Sequence, residues 1–182
     1  MKTKLALLAV ALVALNVSAF AADSAAAEKT DARVEVTYEN PEKFSDVKDS
    51  SFGSDRGREG FLYELKDHLV TRGGKLVPEG HKLSITITEV DLAGDFEPWR
   101  GVQLSDVRII KEIYPPRVNL SFKLTDMTGA VVKEGTRELR DVAFQMTTMA
   151  FPSSDHLRYE KAMLDNWLRS ELPRAKKEKK AN

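Results

Sequence analysis

The chain has 182 residues, 28 Lys and Arg against 28 Asp and Glu, 42% hydrophobic residues and no cysteine. That is enough for one domain with a buried core and too little for several, and a balanced charge argues against a dedicated nucleic-acid binder. The missing thiol excludes a cysteine nucleophile, a Cys-based zinc site, disulfides and any thiol redox role.

At the N-terminus, Lys2 and Lys4 precede an unbroken apolar run from Leu5 to Leu15, and Ala19-Phe20-Ala21 follows with small-x-small spacing. This pattern predicts a secretory signal peptide over residues 1–21. The apolar run is well short of the roughly 20 residues needed to cross a bilayer, so no membrane-spanning segment is expected in the mature chain. No cysteine follows to carry a lipid, and the expectation is a soluble protein exported to the periplasm of a Gram-negative-type bacterium. Residues 22–32 are small, polar and charged, and read as a flexible lead. A single domain is expected over residues 33–173, followed by the basic tail RAKKEKKAN at 174–182, which reads as a disordered, solvated end.

Within the domain, Val34, Val36 and Tyr38 alternate as one face of a strand that Asn40-Pro41 closes. Phe61, Leu62, Leu65 and Leu69 recur at helical spacing and predict a helix over residues 58–72, with Gly73-Gly74 ending it in a left-handed turn. Leu83, Ile85 and Ile87 alternate with Ser84, Thr86 and Thr88 in the clearest strand of the chain. Val90 and Leu92 resume on the opposite parity, so the strand either ends at Glu89 or bulges there. Residues 107–113 form a weaker strand candidate. Val118, Leu120, Phe122 and Leu124, then a turn at Asp126-Met127-Thr128-Gly129, then residues 130–140, read as a hairpin.

Leu157, Leu164, Trp167, Leu168 and Leu172 mark the apolar face of a last helix, with Ser154 or Asp155 as N-cap, Pro173 as stop and Asp165–Arg169 as an i,i+4 pair. The order β-α-β-(β)-β-β-α predicts an α+β fold. Its architecture is a two-layer sandwich, a mostly antiparallel sheet with two helices packed on one face.

Two stretches, DLAGDFEPW at 91–99 and DVRIIKEIYPPR at 106–117, resemble the signature of an exported bacterial family catalogued as domain of unknown function 3016. The resemblance continues through VEVTYENPEKF at 34–44, LVPEG at 76–80 and LRYEKAMLDNWL at 157–168, and so spans essentially the whole domain. It implies a small exported protein and brings no activity, ligand or catalytic residue.

The segment AGDFEPWRGVQLS at 93–105 is long for a structureless connection, and such loops are often functional. Asp95, Glu97, Trp99 and Arg100, with Tyr114 and Arg117 downstream, are the candidate binding residues. Asp91, Asp95, Glu97 and Asp106 are weak candidates for holding a calcium or magnesium ion, the only cofactor entertained. Their spacing lacks the glycine and distal glutamate of an EF-hand, and solvated carboxylates paired with Arg100 or Arg108 are the favoured reading. Asp95 and Glu97 sit too close in sequence to flank a scissile bond. His68, His81 and His156 show no zinc spacing, and His68 reads as a packing or surface residue.

Ser153-Ser154-Asp155-His156 holds the residue types of a triad but in contiguous order, which serves a helix cap better. Gly53, Gly57 and Gly60 lack the Lys-Ser/Thr pair of a phosphate loop and read as a flexible approach to the first helix. Pro115-Pro116 withholds two N–H donors and marks a strand start, edge or crossover. Trp99 and Tyr114 serve either to anchor a partner or to cap the open end of the core; the scarcity of large side chains favours the core role.

No catalytic residue is assigned. The expectation is a non-catalytic exported binding or accessory module whose surface lies around residues 91–117 and whose partner is an envelope protein or peptide. The alternative is a metal-dependent hydrolase using the four carboxylates.

Overall fold

The computed structural model describes residues 33–147, 151 and 154–172. The expected signal peptide, the lead, Pro173 and the basic tail lie outside these described residues. The elements run β1 (Val34–Tyr38), α1 (Asp55–Leu76), β2 (Lys82–Asp91), β3 (Asp95–Phe96), β4 (Arg108–Ile109), β5 (Arg117–Thr125), β6 (Val131–Arg140), α2 (Phe144–Thr147) and α3 (Arg158–Glu171).

Four strands form one sheet in the order β1-β2-β5-β6, and β3 and β4 form a separate two-stranded ribbon. β1 and β2 are parallel, with Val36 opposite Ile85, whereas β2–β5 and β5–β6 are antiparallel. A parallel neighbour requires a crossover, and α1 supplies it. The period-two alternation places Val34, Val36, Leu83, Ile85, Ile87, Leu120, Phe122 and Leu124 on one buried face. α1 and α3 cover that face with Leu65, Leu69, Leu164, Trp167 and Leu168, so the α+β two-layer sandwich stands.

Local departures from the sequence reading have identifiable causes. α1 continues through Gly73 and Gly74 to Leu76 and ends in an extended Val77, so the glycines are not its stop. Both are buried, and a Cβ on Gly73 would lie 3.2 Å from Val34, which shows that the missing side chain lets the helix approach β1. Gly57 and Gly60 lie inside the first turns of α1, capped by the Ser54 hydroxyl that accepts the Gly57 N–H at 2.9 Å, rather than in a loop before the helix.

At the end of β2 the register shifts between Ile87 and Glu89. This is a bulge, and it returns Val90 to the core while Glu89 turns outward to accept the Ser45 N–H at 2.6 Å. α3 begins after Leu157, one turn beyond the residues expected to cap it, and Asp155 instead accepts the Leu157 N–H at 3.0 Å.

Candidate functional site

The site is the 25-residue insertion between β2 and β5, an arm hinged on residues 92–94 and 114–116. It narrows to the ribbon β3–β4, in which Asp95 faces Ile109 and Phe96 faces Arg108. Beyond it come two 3-10 turns, Pro98–Arg100 and Val102–Leu104, joined by Gly101 at φ 119°. The expected strand over 107–113 shrinks to β4, because only these two residues find a ladder partner.

Buried polar contacts lock the stem. The Arg108 guanidinium donates to both carboxylate oxygens of Asp46 at 2.8 and 3.1 Å and to the carbonyls of Gly94 and Lys48 at 3.0 Å each. It also stacks over the Phe96 ring at 4.6 Å. Glu97 is only 2% exposed and collects the charges of the arm. Its Oε1 accepts from Lys111 Nζ at 2.5 Å and Tyr114 Oη at 3.0 Å, and its Oε2 is ion-paired with Arg100. The Lys111 hydrogen bond, helped by Tyr114 and by Arg100, holds the Glu97 carboxyl below its ordinary range in spite of burial. The hydrogen bond that the Tyr114 hydroxyl donates to Glu97, together with burial, raises the Tyr114 phenol above its usual value.

On the α3 side, Glu160 is buried and its Oε1 accepts the Ala93 N–H at 2.6 Å, which ties the base of the arm to the helix layer. Phe144 and Tyr159, packed edge to face at 4.8 Å with Ala93 beside them, form a small second core around that contact.

The predicted site residues therefore separate into two groups. Asp95, Tyr114 and Arg117 line a common cleft under the arm, with Arg117 ion-paired to Asp91. Burial pushes the Asp91 carboxyl up, against the opposing pull of Arg117. Glu97 and Arg100 belong to the stem. Trp99 is 71% exposed, so it does not close the core, contrary to the favoured reading; Tyr114 is half-buried but its hydroxyl serves Glu97 rather than the sheet. The structural reason is that Trp167 and Phe122, at 5.7 Å edge to face, already fill the core under α3.

The four carboxylates suggested for a metal ion do not converge. Asp106 accepts from the Ser51 hydroxyl at 2.8 Å, Asp91 pairs with Arg117, and Glu97 is enclosed by cations. Among the described residues no three His, Asp or Glu side chains form a metal-ligating group.

Other motifs resolve into structural contacts. His68 donates to or accepts from Asp165 at 2.9 Å, and Asp165, buried between α1 and α3, also pairs with Arg72 at 2.8 Å and Arg169 at 3.3 Å. The expected i,i+4 pair is present and forms one edge of an interhelical cluster around Asp165. Asp155 pairs with Lys161 at 2.9 Å, while His156 faces Glu64 at 3.3 Å and tilts against Phe61. These two triad residue types point to different partners; Ser153 lies outside the described residues.

Sequence reasoning missed Asp46, Lys111, Arg140 and Glu160, and named Arg108 only as a partner of the loop carboxylates, whereas it pairs with Asp46. Of these only Glu160 carried a signal, since it falls on the apolar stripe that includes Leu157, Leu164 and Trp167.

The fold and the arm define a two-layer α+β domain bearing an inserted, ion-pinned loop. Residues 32–170 match the family described as Protein of unknown function (DUF3016), and the chain belongs to that family. Comparison with curated proteins and with solved structures gave no significant match.

Proposed function

We propose that this protein is an exported, non-catalytic binding or accessory module of the periplasm, and that it docks an envelope protein or peptide through the arm at residues 91–117. The carrying observation is the concentration of exposed apolar side chains on one short stretch. Trp99 is 71% exposed, Val102 91% and Ile113 69%, and Leu104, Val107 and Ile110 are exposed beside them. Exposed apolar side chains concentrated in one stretch mark interaction sites in soluble domains, and Trp is among the residue types that most often anchor a partner. The locked stem adds a second element of support. A surface held by Arg108, Glu97 and Glu160 loses little conformational entropy when it docks. Export rests on the charged, apolar and small-residue sequence of residues 1–21.

The test is crosslinking and affinity capture in the periplasm, with wild type compared against a Trp99→Ala, Val102→Ser double variant. Both side chains are exposed, so the variant keeps its fold. The reading expects a protein captured by wild type, crosslinked at the arm and lost from the variant. Equal capture by both proteins removes the arm from the function.

A further inference from the structure

Beneath the arm lies a cleft of about 440 Å³, a size at the lower end of the range for small-molecule sites. Lys48 enters from the loop after β1, Asp95 and Ile113 from the arm, and Arg117 and Arg140 from the ends of β5 and β6. Two internal ion pairs neutralise part of its charge, Asp91 with Arg117 and Asp46 with Arg108.

The remaining charges are uncompensated and of both signs. Among the described residues neither Lys48 nor Arg140 has a carboxylate partner, and the only hydrogen bond to the Asp95 carboxylate comes from the Phe96 N–H at 2.7 Å. Arg140 stands directly across the β5–β6 ladder from Arg117. Like charges in that position destabilise a strand pair, and Asp91 neutralises only one of the two. In the arm, Arg100 and Lys111 both converge on Glu97 and leave Asp95 bare.

Opposite charges thus line one cleft without meeting each other. A simple anion there would satisfy Arg140 and Lys48 but face Asp95, and a simple cation would do the reverse. A ligand carrying both signs satisfies all three, and charge-assisted hydrogen bonds to each end give it orientation. We infer that the cleft binds a small zwitterion, a free α-amino acid or a dipeptide, with its ammonium on Asp95, its carboxylate on Arg140 and Lys48, and an apolar side chain against Ile113. Trp99 and Val102, at the apolar tip, do not line this cleft, whereas Ile113 belongs to both surfaces.

Isothermal titration calorimetry with leucine, glycyl-leucine, N-acetylglycyl-leucine and glycyl-leucinamide tests the assignment. At least one of the two zwitterions binds, and blocking either charged end weakens glycyl-leucine about tenfold or more. Asp95→Asn abolishes the discrimination between the free and acetylated amine, and Arg140→Gln abolishes that between acid and amide. Both are unpaired surface positions, so the variants keep the fold, which circular dichroism checks. Binding of leucine as well as the dipeptide assigns the natural ligand to free amino acids, and binding of the dipeptide alone assigns it to peptides. The inference is overturned if neither zwitterion gives heat at millimolar concentration, if the blocked forms bind as well as their parents, or if calcium alone binds in an Asp95-dependent manner. Capture at the arm is unaffected by any of these outcomes, so the two readings fail independently.

Discussion

Replacing Glu160 by Gln should make the protein progressively more stable relative to wild type as the pH rises from acid to alkaline. The Glu160 side chain is 1% exposed; Oε1 holds the Ala93 N–H and Oε2 has no hydrogen-bond partner. Burial is the largest influence and pushes the carboxyl from 4.5 up to about 7, against the Ala93 N–H and the positive field of Arg108 and with a small push from Asp155. Below 4.5 the group is protonated in both folded and unfolded chains and contributes nothing to the difference between them. Between 4.5 and about 7 the unfolded chain loses the proton while the folded chain keeps it, so stability falls as pH rises. Above that window the folded state carries the whole penalty of a buried carboxylate, roughly 3 kcal/mol.

Gln has no proton to lose, and its carbonyl can keep the Ala93 hydrogen bond. Its amide shares the unpartnered position of Oε2, an offset of about 1–3 kcal/mol that does not vary with pH. The discriminating quantity is therefore the change in the stability difference with pH. Urea unfolding of both proteins at about pH 4 and about pH 8 should show the variant gaining roughly 3 kcal/mol over wild type across that range. Glu97, Asp126, Asp155 and Glu171, whose carboxyls are held low by their own partners, titrate in both proteins and cancel from the comparison. A difference that stays constant with pH would refute the assignment of Glu160 as a buried, high-titrating group.

Three further outcomes are expected. Gly94→Ala should cost about 1–3 kcal/mol in urea unfolding, because Gly94 sits at φ +81° and a Cβ there would meet the Ile110 Cδ1 at 2.6 Å and the Ile109 carbonyl at 2.8 Å. Trp99→Ala should change stability by less than about 0.5 kcal/mol and should remove the solvent-quenchable component of tryptophan fluorescence, since Trp167, the other tryptophan, is buried. Calcium or magnesium should leave the melting temperature unchanged, because Asp91 and Glu97 are already ion-paired with Arg117, Arg100 and Lys111; a rise with either ion would contradict that account.

The stem has a consequence for how the arm can work. Glu97, Arg108 and Glu160 each bind the arm to a different body: the arm itself, the loop after β1, and α3. On the proposed function, the apolar tip would present one geometry to its partner, in the manner of a binding loop on a rigid scaffold. On the far edge of the sheet, β6 turns Lys133 and Arg137 inward to share Glu171 at 2.7 and 2.6 Å, and inward charges of this kind protect an edge strand from pairing with another chain.

Alternation at Val34–Tyr38, Leu83–Ile87 and Val118–Leu124 was enough to place three strands of the sheet and their buried face, and the helical spacing of Leu62, Leu65 and Leu69 placed α1. Side-chain parity and helical periodicity are properties of a few consecutive residues, so they survive without knowledge of neighbours. The role of Gly73 was different: a local rule reads it as a helix stop, and its contact with Val34 from another element makes it a packing surface. Trp99 was misplaced for the same reason, because size alone suggests burial while the core under α3 was already occupied by Trp167 against Phe122.

The sequence marked Asp95, Glu97, Arg100, Tyr114 and Arg117 as candidates, but not which charges they would meet in the cleft and the stem. Arg108 meets Asp46 across 62 residues and His68 meets Asp165 across 97, and no short stretch of chain announces which charge will find which. Whether a carboxylate ends up enclosed by cations, as Glu97 does, or left bare in a cleft, as Asp95 does two residues away, depends on distances between segments that only the folding of the chain brings together.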